Sequence, residues 1–166
     1  MEVNLSAVDE YAPDTEDRPL GGYVALMGLY AVSVAAGAVG LRRRSGPLPD
    51  VRLADVVLTG VATHKLARRM SKDSVTSPLR APFTRYEGVS GPAELQEQSR
   101  GRGLRKAVGE LVSCPFCISQ WVATGFVFGF LTAPRATRWT ASVFTSLALA
   151  DFLQFAYAWA EQRAEG

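Results

Sequence analysis

Cys114 and Cys117 are the two cysteines of the chain, and they fall in the run Cys114-Pro115-Phe116-Cys117, directly before an uncharged apolar stretch over 118–133. Thiols at the first residues of a helix meet unpaired backbone N–H groups and the positive end of the macrodipole, and both favour the thiolate. Three uses compete for such a motif: a redox pair, half of a metal site, or two small apolar residues packed at a helix end. One chain cannot build a four-cysteine zinc site, and a site of two cysteines and two histidines fails because His64 is the single histidine. A set of four thiolates at Cys114 and Cys117 is completed most simply when a second copy supplies its own pair, and the expected cofactor is either none or such a shared zinc.

Ionisable groups inside apolar segments are costly, and by default they mark function. His64 and Asp151 are such groups. Counted from the starts of their segments at Leu53 and Trp139, both lie roughly 17 Å deep, so they are expected to pair as a proton path, as part of a metal site, or simply to stabilise the bundle through His64 or Lys65. Asp73, Arg80 and Arg85 form a third group. Asp73 could pair with Arg80, or Arg80 and Arg85 could hold a phosphate or lipid headgroup, because guanidinium forks match phosphate oxygens. Trp121, one turn past Cys117, suits headgroup depth.

The segments that must position these residues are membrane-like. Residues 20–41 contain no charge, and 22 residues span roughly 33 Å, against roughly 30 Å of hydrocarbon. The acidic residues before this run argue against a secretory signal peptide. Residues 118–133, extended by 114–116 and closed by Pro134, form a further candidate span, as do residues 139–160. Residues 53–70 carry Asp55, His64, Lys65, Arg68 and Arg69, so they either cross or lie on the surface with a snorkelling basic end. Over 104–112, charged and apolar residues alternate at helical spacing, as in a short interfacial helix that carries Glu110 toward the cysteines. Gly125 and Gly129 mark a close-packing face, within the bundle or against a second copy.

Between Lys65 and Glu110 lie ten Lys or Arg against five Asp or Glu, while the whole chain is only +2. Basic connections stay in the cytoplasm, so this loop is expected there, with the cysteines beside it. Such a loop suits anionic lipid headgroups. Nucleic acid is a poor partner, because neither interleaved aromatics nor a recognisable binding module is present.

The series His64-Lys65-Leu66-Ala67-Arg68, Asp73-Ser74-Val75-Thr76, Leu79-Arg80-Ala81-Pro82-Phe83 and Gly109-Glu110-Leu111-Val112-Ser113-Cys114-Pro115-Phe116-Cys117-Ile118-Ser119-Gln120-Trp121 resembles the bacterial membrane family called domain of unknown function 1360 (DUF1360). The resemblance covers about 53–160. It implies an all-α integral membrane bundle in which 53–70 is a true span, giving four transmembrane helices, or three if 53–70 is interfacial. His64-Lys65 departs from the family's more usual aromatic-Arg pair, and some members carry a sporulation label.

The expected organisation is an acidic tail over 1–19, an additional transmembrane helix over 20–41, and a DUF1360-like membrane domain over 53–160. That domain contains a cytoplasmic basic loop over 71–113, and a tail over 161–166 follows it. The expected setting is the bacterial cytoplasmic membrane, with multiple passes. Two function classes fit. One is a non-catalytic scaffold or interaction protein that engages lipid, a protein partner or a second copy; the other is a membrane thiol oxidoreductase or metal binder using Cys114 and Cys117. The second class lacks a relay pair of cysteines and places its thiols in a reducing compartment.

Overall fold

The computed structural model describes residues 11, 18–44 and 46–165, so most of the expected acidic tail lies outside the described residues. Five long helices carry the architecture. Helix α1, Leu20–Arg42, starts after Pro19, and α2, Leu53–Lys72, begins with the Asp55 carboxylate accepting from the Arg52 backbone N–H at 3.3 Å. A 3-10 turn (Ser74–Thr76) and the four-residue α3, Ser77–Arg80, follow. Strands β1, Thr84–Gly91, and β2, Glu94–Ser99, then pair antiparallel from Thr84↔Ser99 to Gly91↔Glu94. The chain returns through α4, Gly103–Ser113, to α5, Pro115–Thr132, and α6, Pro134–Glu165.

The hairpin corrects the all-α expectation and lies within the expected basic loop over 71–113. Its residues are mostly polar, because neither strand faces a large apolar core, so the period-two signal is faint. Pro92 and Ala93 make the turn, with Ala93 held at φ 59°. Helix α6 also starts earlier than Trp139: Pro134 stands at its first position, where the missing N–H costs nothing. Ala133 alone separates α5 from α6, and a Cβ on Gly129 would lie 2.7 Å from Thr137 Oγ1, so the two helices fold back tightly on a glycine.

Paired contacts fix the helix directions. Tyr30 meets Thr124, the Gly37 backbone faces the Phe128 ring, and Arg44 donates to the Leu131 and Thr132 carbonyls, so α1 and α5 run the same way. Arg138 meets Asp55, Thr145 donates to the Leu58 carbonyl, and Asp151 meets Lys65, so α2 and α6 run together and opposite to the first pair. The short segments from Asp73 to Ser113 and the start of α5 therefore gather at one end of the bundle.

Small residues allow close packing at the centre. Ala62 of α2, Ala141 of α6 and Phe126 of α5 are buried together, with Leu58, Leu66, Val122 and Phe144 around them. Large apolar side chains such as Met27, Val32, Trp139, Leu153 and Tyr157 point outward, whereas Asp55 is buried. Outward-facing apolar side chains are compatible with a lipid surround. Among the described residues three helices, α1, α5 and α6, are long and apolar enough to cross a membrane.

Candidate functional site

The end of the bundle that holds the cysteines is built around Arg80, which is 1% exposed. Its Nε and Nη2 donate to the Glu97 carboxylate at 2.7 and 3.0 Å. Its Nη1 donates to the Met70 carbonyl at 2.9 Å and to Thr76 Oγ1 at 2.6 Å, and Nη2 also reaches the Asp73 carbonyl at 3.0 Å. A guanidinium has five N–H donors, and these five bonds use them all. Thr84 Oγ1 adds a bond to Glu97 at 3.1 Å. Arg80 thus ties β2, the 3-10 turn and the end of α2 into one module, and it has no donor left for a phosphate.

Asp73 pairs differently from the expectation. Its backbone carbonyl serves Arg80, while its carboxylate accepts from the Val75 N–H at 3.0 Å and from Arg69 Nε at 3.0 Å. The Val75 N–H and the Arg69 guanidinium, against a smaller opposing effect of burial, hold the Asp73 carboxyl below its ordinary range. Arg85 is exposed on β1.

Ion pairs tie α2 to its neighbours at Asp55, Lys65 and Arg68. Arg138 chelates Asp55 at 2.8 and 2.9 Å. Lys65 bonds Asp151, and Arg68 forks onto Glu94 with three contacts of 2.6–2.9 Å. Asp151 is therefore met by Lys65 and not by His64. Position 64 is rotated about 100° away from the face that meets α6, and His64 is exposed. The pairs at Lys65 and Arg68 line a cleft of about 670 Å³ between α2, α6 and the hairpin turn.

The cysteines stand on the other side of the module. Cys114 caps α5, its Sγ accepting from the Cys117 N–H at 3.2 Å and from the Cys117 thiol at 2.6 Å. Cys117 is exposed and Cys114 half-buried. Among the described residues no third His, Cys, Asp or Glu joins them in a group able to hold a metal. Glu110, one helix earlier, accepts from the Tyr23 hydroxyl of α1, and Trp121 meets the Tyr30 ring edge-on at 5.1 Å. A second cleft, about 770 Å³, lies between α1, α4 and α5 with Cys117 in its wall.

The family model described as protein of unknown function (DUF1360) matches residues 58–157. The chain belongs to the DUF1360 family. The sporulation protein YjcA of Bacillus subtilis (strain 168) is 28% identical to it over 102 residues, which cover 60% of this chain and 86% of that protein. No solved structure matches the chain. The DUF1360 segment holds Arg80, Glu97, Glu94, Asp151, Glu110, both cysteines and Trp121, whereas α1 with Tyr23 and Tyr30 precedes it.

Several of these partners escaped the sequence. Glu94 and Glu97 sit in a polar stretch with no periodic apolar signal, and Tyr23 and Tyr30 look like ordinary members of an apolar helix. Arg138 lies four residues after Pro134, beyond the last expected turn of one span and just before the next. The spacing of Asp55, Leu58, Ala62, Lys65 and Arg69 along α2 was the one signal from which the face turned toward α6 could have been found.

Proposed function

We propose that this DUF1360 protein is a non-catalytic scaffold of the bacterial cytoplasmic membrane, with four spanning helices that hold a rigid hairpin module at the cytoplasmic face for a partner to engage. The observation that carries this reading is the complete use of the Arg80 donors. A buried, fully bonded arginine fixes a shape and is not itself available to a ligand. Helix α2 supports four spans: it is antiparallel to α5, parallel to α6, and has its charges matched from neighbouring elements. The concentration of Lys and Arg between α2 and α5 supports a cytoplasmic module, where the exposed Arg85 and Arg102 suit anionic headgroups. The name of the Bacillus relative suggests spore formation as the setting.

The adjacency of Cys114 and the exposed Cys117 at the start of α5 favours a second reading, a thiol pair that opens and closes. One chromosomal experiment separates the two. The scaffold predicts that Arg80→Ala reproduces the phenotype of the gene deletion, while the Cys114→Ser, Cys117→Ser double variant behaves like the parent. The opposite pattern, with protein levels unchanged, would move the function to the thiols.

A further inference from the structure

The ion-paired cleft has no role in the scaffold as described, and its chemistry is unusual for its depth. Asp151 lies eight residues before Trp159 on α6, or roughly 12 Å along the axis. Trp139 and Trp159 are about 30 Å apart on the same helix, the thickness of a hydrocarbon core, so they suit the two interfaces. On that frame the Lys65–Asp151 pair forms a floor below headgroup level. Arg68 and Glu94 form a wall nearer the surface, the hairpin turn roofs the space, and the exposed Phe152 and Phe155 border its opening toward lipid.

The charges select among ligands. Lys65, Arg68 and Arg69 line the cleft, each in direct contact with a carboxylate that also lines it, Asp151, Glu94 and Asp73 in turn, three cations against three carboxylates. An anion entering alone gains the cations but meets all three carboxylates in a medium where screening is weak. A ligand with one positive and one negative group can instead align with the pairs already there, giving each protein charge a second partner. An ammonium with N–H donors can bond Asp151 and Glu94, whereas a quaternary ammonium cannot. The phosphate can then accept from Arg68 and from the exposed His64, which also lines the cleft.

We propose that the cleft between α2, α6 and the hairpin turn binds the headgroup of a zwitterionic phospholipid carrying a primary ammonium, a phosphoethanolamine lipid, which enters sideways from the bilayer. Its acyl chains pass Phe152 and Phe155 and remain in the hydrocarbon. This rests on the bundle standing in a bilayer, as proposed above. It is read out in micelles, so it fails or survives independently of the number of spans.

The test is binding to the full chain purified in micelles, using short-chain lipids with phosphoethanolamine, phosphocholine or phosphoglycerol headgroups, and soluble glycerophosphoethanolamine as a separate arm. The phosphoethanolamine lipid should bind about ten-fold more tightly than the other two lipids, the difference expected for charge-assisted hydrogen bonds that a trimethylated or absent ammonium cannot make. Asp151→Asn and Glu94→Gln should each erase that preference. Because these changes also break ion pairs, Ala158→Trp provides a variant that leaves the charges intact: Ala158 is exposed at the cleft, and a bulky ring there should block lipid without disturbing the fold. Equal binding of the three lipids, a preference for phosphoglycerol, or undiminished binding in a folded Ala158→Trp protein would overturn the proposal. Soluble glycerophosphoethanolamine binding as tightly as the lipid would overturn the bilayer source.

Discussion

Arg80 and Glu97 face each other across 17 residues of chain and form a two-point ion pair that is almost fully closed to solvent, with side chains 2% and 5% exposed. Removing one partner leaves the other charge buried and unmatched, which typically costs about 3–5 kcal/mol. Glu97→Gln and Arg80→Ala should each lower unfolding stability in micelles by about that amount. Arg80→Met combined with Glu97→Leu should recover only part of the loss, because the Met70 and Asp73 carbonyls remain without their donor. Denaturant titrations followed by circular dichroism measure all of these.

The pair between Lys65 and Asp151 makes a claim about neighbours in sequence. Lys65→Met and Asp151→Asn should show a coupling energy of about 0.5–3 kcal/mol in a double-mutant cycle. His64→Ala combined with Asp151→Asn should be additive, because His64 lies off the contacting face. A cycle with the two results exchanged would place His64 against the acid.

Helix α1 approaches its neighbours closely at two glycines. A Cβ on Gly37 would sit 2.5 Å from the Phe128 ring, and one on Gly22 would sit 2.8 Å from Ala107 Cβ, whereas Gly28 has open space. Gly37→Leu should therefore destabilise by about 1–3 kcal/mol and raise hydrogen exchange in α1. Gly28→Leu, facing outward, should change neither.

Acid should loosen the start of the module. The folded Asp73 carboxyl is held below its ordinary value of 3.8, chiefly by the Val75 N–H and then by Arg69. A depressed folded value means the stabilisation is complete above 3.8 and disappears as pH falls through the lower, folded value. Asp73→Asn should thus be less stable than the parent near neutral pH. The gap should close in acid, as measured by thermal unfolding across the titration.

Helices α1 and α5 were legible as long uncharged runs, and α4 because its charged and apolar residues alternate at helical spacing. Cys114, Cys117 and Trp121 stood out by residue type and spacing, and the family resemblance supplied the extent of the domain. The hairpin was not legible, because its strands are held by a charged pair and a polar ladder, and β2 contributes Glu97 to the module and not an apolar stripe to a core. Depth counting placed His64 and Asp151 at one level, but depth is only one coordinate. Rotation about the α2 axis decides whether position 64 or 65 meets α6, and it is set by packing at Leu58, Ala62 and Leu66. The expected Asp73–Arg80 contact exists through a backbone carbonyl, which no side-chain pattern encodes.

The central claim is that α2 crosses the membrane and so places the module and the α1–α2 connection on opposite sides. Leu48 and Val89 are both exposed, one before α2 and one on β1. Each can be replaced by cysteine in a Cys114→Ser, Cys117→Ser background and treated in intact cells with a membrane-impermeant maleimide. Four spans predict that Leu48→Cys is labelled from outside and that Val89→Cys is labelled only after the membrane is opened. Labelling of both positions from the same side would contradict the account, leaving α2 on the surface and three helices in the bilayer.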